Sequence, residues 1–248
     1  MKLAVRRRKI GTVPLLEVVK QEYLYTSLPL IVYYHGWQTT KELVLTQGRK
    51  LAQQDFRVIL PDAQNHGERE APLSSIPSLT FFQSIHSNLF EFESIVHYFE
   101  QLGLTNGKLG VGGVSMGGMT TCALLTQHPE IDAAASVMGS PSLMAYRQEL
   151  ERVFSEKEIA IPKDYEKLTS WIEDYDLSLQ YSQIRKRPLF FWHGLHDEKI
   201  PFEQTDHFVR ENLGPEITFH AANERHMVKV PTMDQVTEFF TTLNLPKI

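Results

Sequence analysis

Three residue types recur in an order that can do covalent chemistry: a serine at 115, neighbouring carboxylates at 197 and 198, and a histidine at 226. Ser115 is the centre of Gly113-Val114-Ser115-Met116-Gly117. The run 108–114 reads as a strand and the spacing from 116 onward as a helix, so the pentad occupies a strand-to-helix turn. A turn this tight strains the backbone of its central residue, and small residues must flank it because larger ones would strike neighbouring backbone. The hydroxyl would then project into a cleft, with the helix N-terminus behind it. The unpaired N–H groups there favour negative charge developing at an attacked carbonyl, and Met116 N–H is one expected donor.

A serine hydroxyl is a weak nucleophile near neutrality and needs a base, which in turn needs a carboxylate to orient it. His193-Gly194-Leu195-His196-Asp197-Glu198 ends one strand and supplies Asp197, with Glu198 as its rival. Asn223-Glu224-Arg225-His226-Met227 follows the final strand and supplies His226, the expected base. His196 is the strongest rival base, but its adjacency to Asp197 makes a mutual hydrogen bond awkward. Of the other histidines, His35 reads as a brace for the loop after the third strand, His66 as a stabiliser of the turn after the fourth, and His193 as a residue at a strand end. Such a set performs acyl transfer through an acyl-enzyme, and its rate should rise with pH as the imidazole loses its proton.

These residues must be carried by regular elements. Short apolar and β-branched runs at 15–19, 30–34, 57–60, 108–114, 133–138, 189–192 and 217–220 alternate with helix-spaced stretches at 41–54, 80–102, 116–127, 201–212 and 233–243. This alternation predicts an α/β fold with a mostly parallel central sheet of about eight strands and helices on both faces. Short connections containing Pro14 or Pro29 leave no room for a crossover helix, so the sheet should open antiparallel. The stretch 141–187 is several times longer than a usual connection and is expected to form a small helical cap insertion, with helices at 149–157 and 164–175. Otherwise residues 1–248 read as a single domain.

Composition narrows the function classes. The 248 residues include 42% hydrophobic ones, enough for a full core, and neither glycine nor proline is in excess. A formal charge of −5 creates no field for a polyanion, so nucleic acid is not an expected partner. Arg6, Arg7, Arg8 and Lys9 are read as a solvated strand flank, since the apolar stretch that follows is broken by Gly11, Pro14, Glu17 and Lys20 and does not resemble a leader. No window is long and apolar enough for a membrane span. The single cysteine, Cys122, fits a reducing cytoplasm. A metal site could be assembled from His193, His196 and Asp197, but no H-E-x-x-H pattern exists, so no metal or other cofactor is expected. The glycines at 110–118 match no nucleotide-binding pattern.

Taken with Tyr33-Tyr34-His35-Gly36-Trp37, Leu60-Pro61-Asp62, Asn65-His66-Gly67-Glu68 and Pro188, the pentad and the loops at 193–197 and 226 make the chain resemble an α/β-hydrolase. The type it resembles is the esterase and prolyl-oligopeptidase-like one, including dienelactone hydrolases. The resemblance implies a triad of Ser115, Asp197 and His226, and a second oxyanion donor at Trp37 N–H beside Met116. Trp37 and Gln38 stand where lipase-like members have glycines, so an indole is expected to crowd the acyl pocket. Trp37, Met144 and Trp171 are the expected substrate contacts. The implied reaction is hydrolysis of carboxylic esters of small acyl groups by a cytoplasmic monomer or homodimer. Two alternatives stay open: a peptidase or amidase using the same residues, and a silent hydrolase-fold protein that binds a ligand without turning it over.

Overall fold

The computed structural model describes residues 1–71, 77–184 and 187–242. Eight strands form one sheet: β1 (Leu3–Ile10), β2 (Val13–Lys20), β3 (Leu28–Tyr34), β4 (Arg57–Pro61), β5 (Thr105–Val114), β6 (Ala133–Val137), β7 (Leu189–Gly194) and β8 (Ile217–Ala222). Their spatial order is β1-β2-β4-β3-β5-β6-β7-β8. β1 and β2 form an antiparallel hairpin, β2 pairs antiparallel with β4, and every later pair is parallel. The antiparallel opening is therefore present, but its connections differ from the expectation. Pro14 and Pro29 lie inside β2 and β3, and β2 joins β4 instead of its sequence neighbour β3.

The basic run also differs, because it lies within β1 itself. Alternation along that strand half-buries Arg6 and Arg8 and exposes Arg7 and Lys9. Arg6 sits directly opposite Glu17 in the hairpin and donates two hydrogen bonds of 3.0 Å to its carboxylate. Arg8 and the buried Arg57 of β4 also donate to Glu17, whose side chain is fully buried. A charge with no solvent persists only when paired in this way, so half of the run is tied into the sheet edge and half is solvated.

Helices cover both faces. Helices α2 (Pro77–Gln101), α3 (Met116–Gln127) and α6 (Phe202–Glu211) lie on one face, where Phe82, Phe92, Phe99, Leu124 and Phe208 join a buried cluster. On the other face α1 (Leu45–Ala52) and α7 (Val230–Thr242) enclose Leu51, Ile31, Val58, Val236 and Phe240. Helix α1 begins later than the expected residue 41. Lys41 donates from its backbone N–H (2.9 Å) and its ammonium to the buried carboxylate of Asp62, which holds 41–44 in turns. The expected helix over 233–243 corresponds to α7, and its last residue lies outside the described residues.

Between β6 and β7 the long insertion folds as α4 (Leu143–Glu156), the short α5 (Tyr165–Leu168) and 3-10 turns at Ser170–Tyr175 and Tyr181–Ile184. Residues 185–186 of the expected 141–187 segment lie outside the described residues. The single helix expected over 164–175 is split at Thr169, whose buried hydroxyl donates back to the Tyr165 carbonyl at 2.8 Å, competing with continuation of the helix. Ser142 caps α4, accepting from Ala145 N–H at 3.3 Å.

Candidate active site

Ser115 joins β5 to α3 with φ 57° and ψ −117°, a conformation that L-residues rarely occupy. The strain is held in place from several sides. Ser115 N–H donates to the Val137 carbonyl of β6 at 2.8 Å. A Cβ on Gly117 would lie 2.3 Å from the Tyr34 carbonyl oxygen, so only glycine lets α3 start this close to the end of β3. Ser115 is buried, and Met116, the first residue of α3, is fully buried.

His226 reaches this serine from 111 residues away in sequence: its Nε2 is 2.9 Å from Ser115 Oγ. Its Nδ1 lies 2.7 Å from Asp197 Oδ2. An ionised carboxylate can only accept, so Nδ1 carries the proton and Nε2 is left to accept from the serine hydroxyl. The loop that presents His226 passes directly over the end of β7. A Cβ on Gly194 would be 2.5 Å from the Glu224 carbonyl oxygen, and His196 N–H donates to that same carbonyl at 2.9 Å. Glycine at 194 thus lets the acid loop and the base loop share one small space.

Asp197 is more heavily bonded than its sequence context suggested. Its Oδ1 accepts from Lys199 N–H at 2.9 Å and Ile200 N–H at 3.0 Å. Its Oδ2 receives a second imidazole, His193 Nε2, at 3.2 Å. Burial alone would raise this carboxyl, but hydrogen bonds from His193, His226 and Ile200 outweigh it and hold Asp197 well below the ordinary carboxylate range. His193 is fully buried and also donates to the Ile200 carbonyl, so it buttresses the acid. The i, i+4 spacing of His193 and Asp197 was visible in the sequence, but only the bend after β7 turns both inward. The rivals are placed elsewhere. His196 is exposed and bonds Asn223 Oδ1 at 2.8 Å, and Glu198 is exposed.

The loop after β3 closes the other side. Gly36 packs so tightly on the serine that a Cβ there would lie 3.3 Å from Ser115 Cβ. His35 braces this loop: its Nε2 accepts from Ala63 N–H at 3.0 Å, which leaves Nδ1 protonated to donate to the Gly36 carbonyl at 2.8 Å. Burial pushes His35 down to about 4, keeping it neutral for this role. Trp37 packs edge-on against His66 and Phe81, with ring centroids 4.8 Å and 5.4 Å away. Gln38 follows at φ 56°, a second strained residue beside the same cleft. His66 Nδ1 donates to the Gln64 carbonyl at 2.8 Å, within the turn after β4.

Ser115 and His226 open into a cleft of about 150 Å³ whose walls include Trp37, Phe81, Tyr146, Leu150, Phe154 and Ile200. Trp37 lines it, but Met144 and Trp171 do not. Tyr146, Leu150 and Phe154 are spaced by four along α4 and therefore share the face turned to the cleft, whereas Met144 lies on a different face. Trp171 instead stacks on His86 of α2, with centroids 4.4 Å apart and an interplanar angle of 14°. The spacing of 146, 150 and 154 was the signal that could have found the correct wall. Among the described residues, no group of three or more His, Cys, Asp and Glu side chains is placed to hold a metal ion.

A family model described as alpha/beta hydrolase fold matches residues 29–157. The chain is 34% identical over 212 residues to "Putative esterase YitV" of Bacillus subtilis, covering 83% of each chain. It is 27% identical over 204 residues to "Esterase YjfP" of Escherichia coli, covering 82% of each. Among solved structures, TT1662 from Thermus thermophilus superimposes with a TM-score of 0.78 over 100% of both chains at 17% identity.

Proposed function

We infer the reaction from one premise: the chain belongs to the alpha/beta hydrolase fold family. On it we propose a serine esterase that cleaves carboxylic esters of small acyl groups, with Ser115 as nucleophile, His226 as general base and acid, and Asp197 as the orienting carboxylate. The observation that carries this reading is the pair of hydrogen bonds, 2.9 Å and 2.7 Å, that link serine to imidazole and imidazole to carboxylate.

In the first step Ser115 Oγ attacks the ester carbonyl carbon while its proton passes to His226 Nε2. The oxygen that gains charge is met by Met116 N–H at the start of α3 and by Trp37 N–H from the loop after β3. Asp197, held ionised by its own donors, stabilises the imidazolium. Collapse expels the alcohol, which takes the proton from Nε2. Water then attacks the acyl-enzyme using the same base, and acid and free serine are released. The strained backbone of Ser115 and the bracing by His35 mean that little has to move as charge develops. The chemistry asks for no cofactor.

A cleft of about 150 Å³ supports small acyl groups, with α4 acting as its cap. The names of the two curated relatives support ester over amide cleavage. A single cysteine, buried and with its thiol pushed up to about 12, fits a cytoplasmic setting. The test compares p-nitrophenyl acetate with acetyl p-nitroanilide on the wild-type chain and on Ser115→Ala. The reading expects ester cleavage to exceed anilide cleavage, and kcat to fall by about four to six orders of magnitude in the variant. Ester turnover surviving in a folded Ser115→Ala protein overturns it.

A further inference from the structure

His193 is fully buried and has no step in the proposed reaction, yet its ring is held from three sides. Nε2 lies 3.0 Å from the Ile200 carbonyl oxygen and 3.2 Å from Asp197 Oδ2. Neither oxygen can donate, so Nε2 bears a proton and points it at both. Nδ1 lies 3.1 Å from Thr205 Oγ1 of α6, and that hydroxyl is itself fixed by the Gly139 carbonyl at 3.0 Å. Phe202 of α6 packs edge-on against the ring, with centroids 5.9 Å apart. Turning the Nε2–H away from Asp197 would strand buried polar groups, so the donor is locked.

Asp197 Oδ2 is also the oxygen bound by His226 Nδ1 at 2.7 Å, so two imidazoles meet on one atom. A proton gained by His226 is stabilised by the negative charge that this oxygen presents. The second N–H draws on the same charge, and the positive end of its dipole points toward the place where the new charge would sit. Both effects make the imidazolium of His226 less stable. Other titratable groups face His226 from the elements around it: Tyr146 of α4 and Lys199 of the acid loop line the cleft with it, and Tyr33 of β3 lies on its other side. Burial pushes both phenols up, so they stay neutral. Lys199 and Arg225 are exposed, and Glu224 is paired with Lys229. Among the described residues, Asp197 is the one carboxylate within ion-pair distance of either His193 or His226.

We propose that His193 is a positioning residue that, by sharing Asp197 Oδ2 with the base, sets the pH at which His226 becomes free to accept the serine proton, and sets it lower. The inference rests on the triad reading above and gives His193 no contact with substrate. A base that sheds its proton sooner keeps hydrolysis running in mildly acidic solution, with some loss of proton-accepting strength.

The experiment measures kcat/KM for p-nitrophenyl acetate from about pH 5 to 9 on wild type, His193→Leu and His193→Gln, with circular dichroism to establish the fold. His193→Leu removes the donor, so the midpoint of the rise should move up by about half to one pH unit, about a three- to tenfold gain in the proton affinity of the base. His193→Gln can place an amide N–H where Nε2 was, and should return most of that shift. Lost packing alone would lower the plateau in both variants and leave the midpoint in place. Thr205→Val keeps His193 but frees its Nδ1, and should move the midpoint the same way by a smaller amount; it carries the test if His193→Leu does not fold. A midpoint that stays or falls in the folded variant, or a glutamine variant shifted as far as the leucine one, overturns the inference and leaves the esterase standing. A wild-type profile with no rise, or turnover that survives Ser115→Ala, sinks the esterase reading and this inference with it.

Discussion

At the scale of single residues, His35 shows how burial sets a protonation state that the site depends on. Its unfolded value is about 6.5, whereas burial in the folded chain pushes it down to about 4. Between those values the unfolded chain takes up a proton that the folded chain refuses. The stability contributed by the neutral imidazole is therefore complete above about pH 6.5 and is lost as pH falls towards about 4, amounting to about 3 kcal/mol. Gln at position 35 can still accept from Ala63 N–H but cannot titrate. Urea unfolding of His35→Gln should thus show a shallower decline from pH 7 to 4 than the wild type, and parallel declines would mean that His35 is not the proton-refusing group. That Ser115, Asp197 and His226 would meet could be read from motif, order and strand ends. The load on Asp197 could not, because His193 approaches it only after the chain turns at the end of β7.

At the scale of elements, α4 forms one wall of the cleft. Leu150 is half-buried in the middle of the face that also carries Tyr146 and Phe154. Leu150→Trp adds bulk to that wall with room to swing outward, so it should lower kcat/KM for hexanoyl relative to acetyl esters by about tenfold. An acyl-chain series on wild type and variant checks this, and an unchanged ratio would remove α4 from the acyl pocket. Side-chain size alone points to Met144 and Trp171, because a large side chain attracts attention whichever way it faces. Facing is a matter of helical phase, and the residues at 146, 150 and 154 carried that phase in the sequence. The first strand was obscured for a related reason. Its four basic residues look like a solvated run until Glu17, opposite Arg6 across the hairpin, shows that two of them are tied inward.

For the whole molecule, the sheet brings together what the chain keeps apart. Seven of the eight strands were legible from apolar runs, and their alternation with helices conveyed a mostly parallel sheet. The order of those strands was less legible: that β2 lies beside β4 is a long-range choice made by packing, which no local run of residues announces. With hydrophobic clusters on both faces, the ends of β3, β5, β7 and β8 form one rim, where residues 111 positions apart share a hydrogen bond. Such a rim sets Ser115 apart from the other serines among the described residues, and that difference can be measured directly. A fluorophosphonate probe should attach once per folded chain, on the peptide containing Ser115, with esterase activity lost in step, and labelling should vanish on unfolding or in His226→Ala. Activity that persists in fully labelled protein, or is lost with the probe on a different residue, would contradict the account.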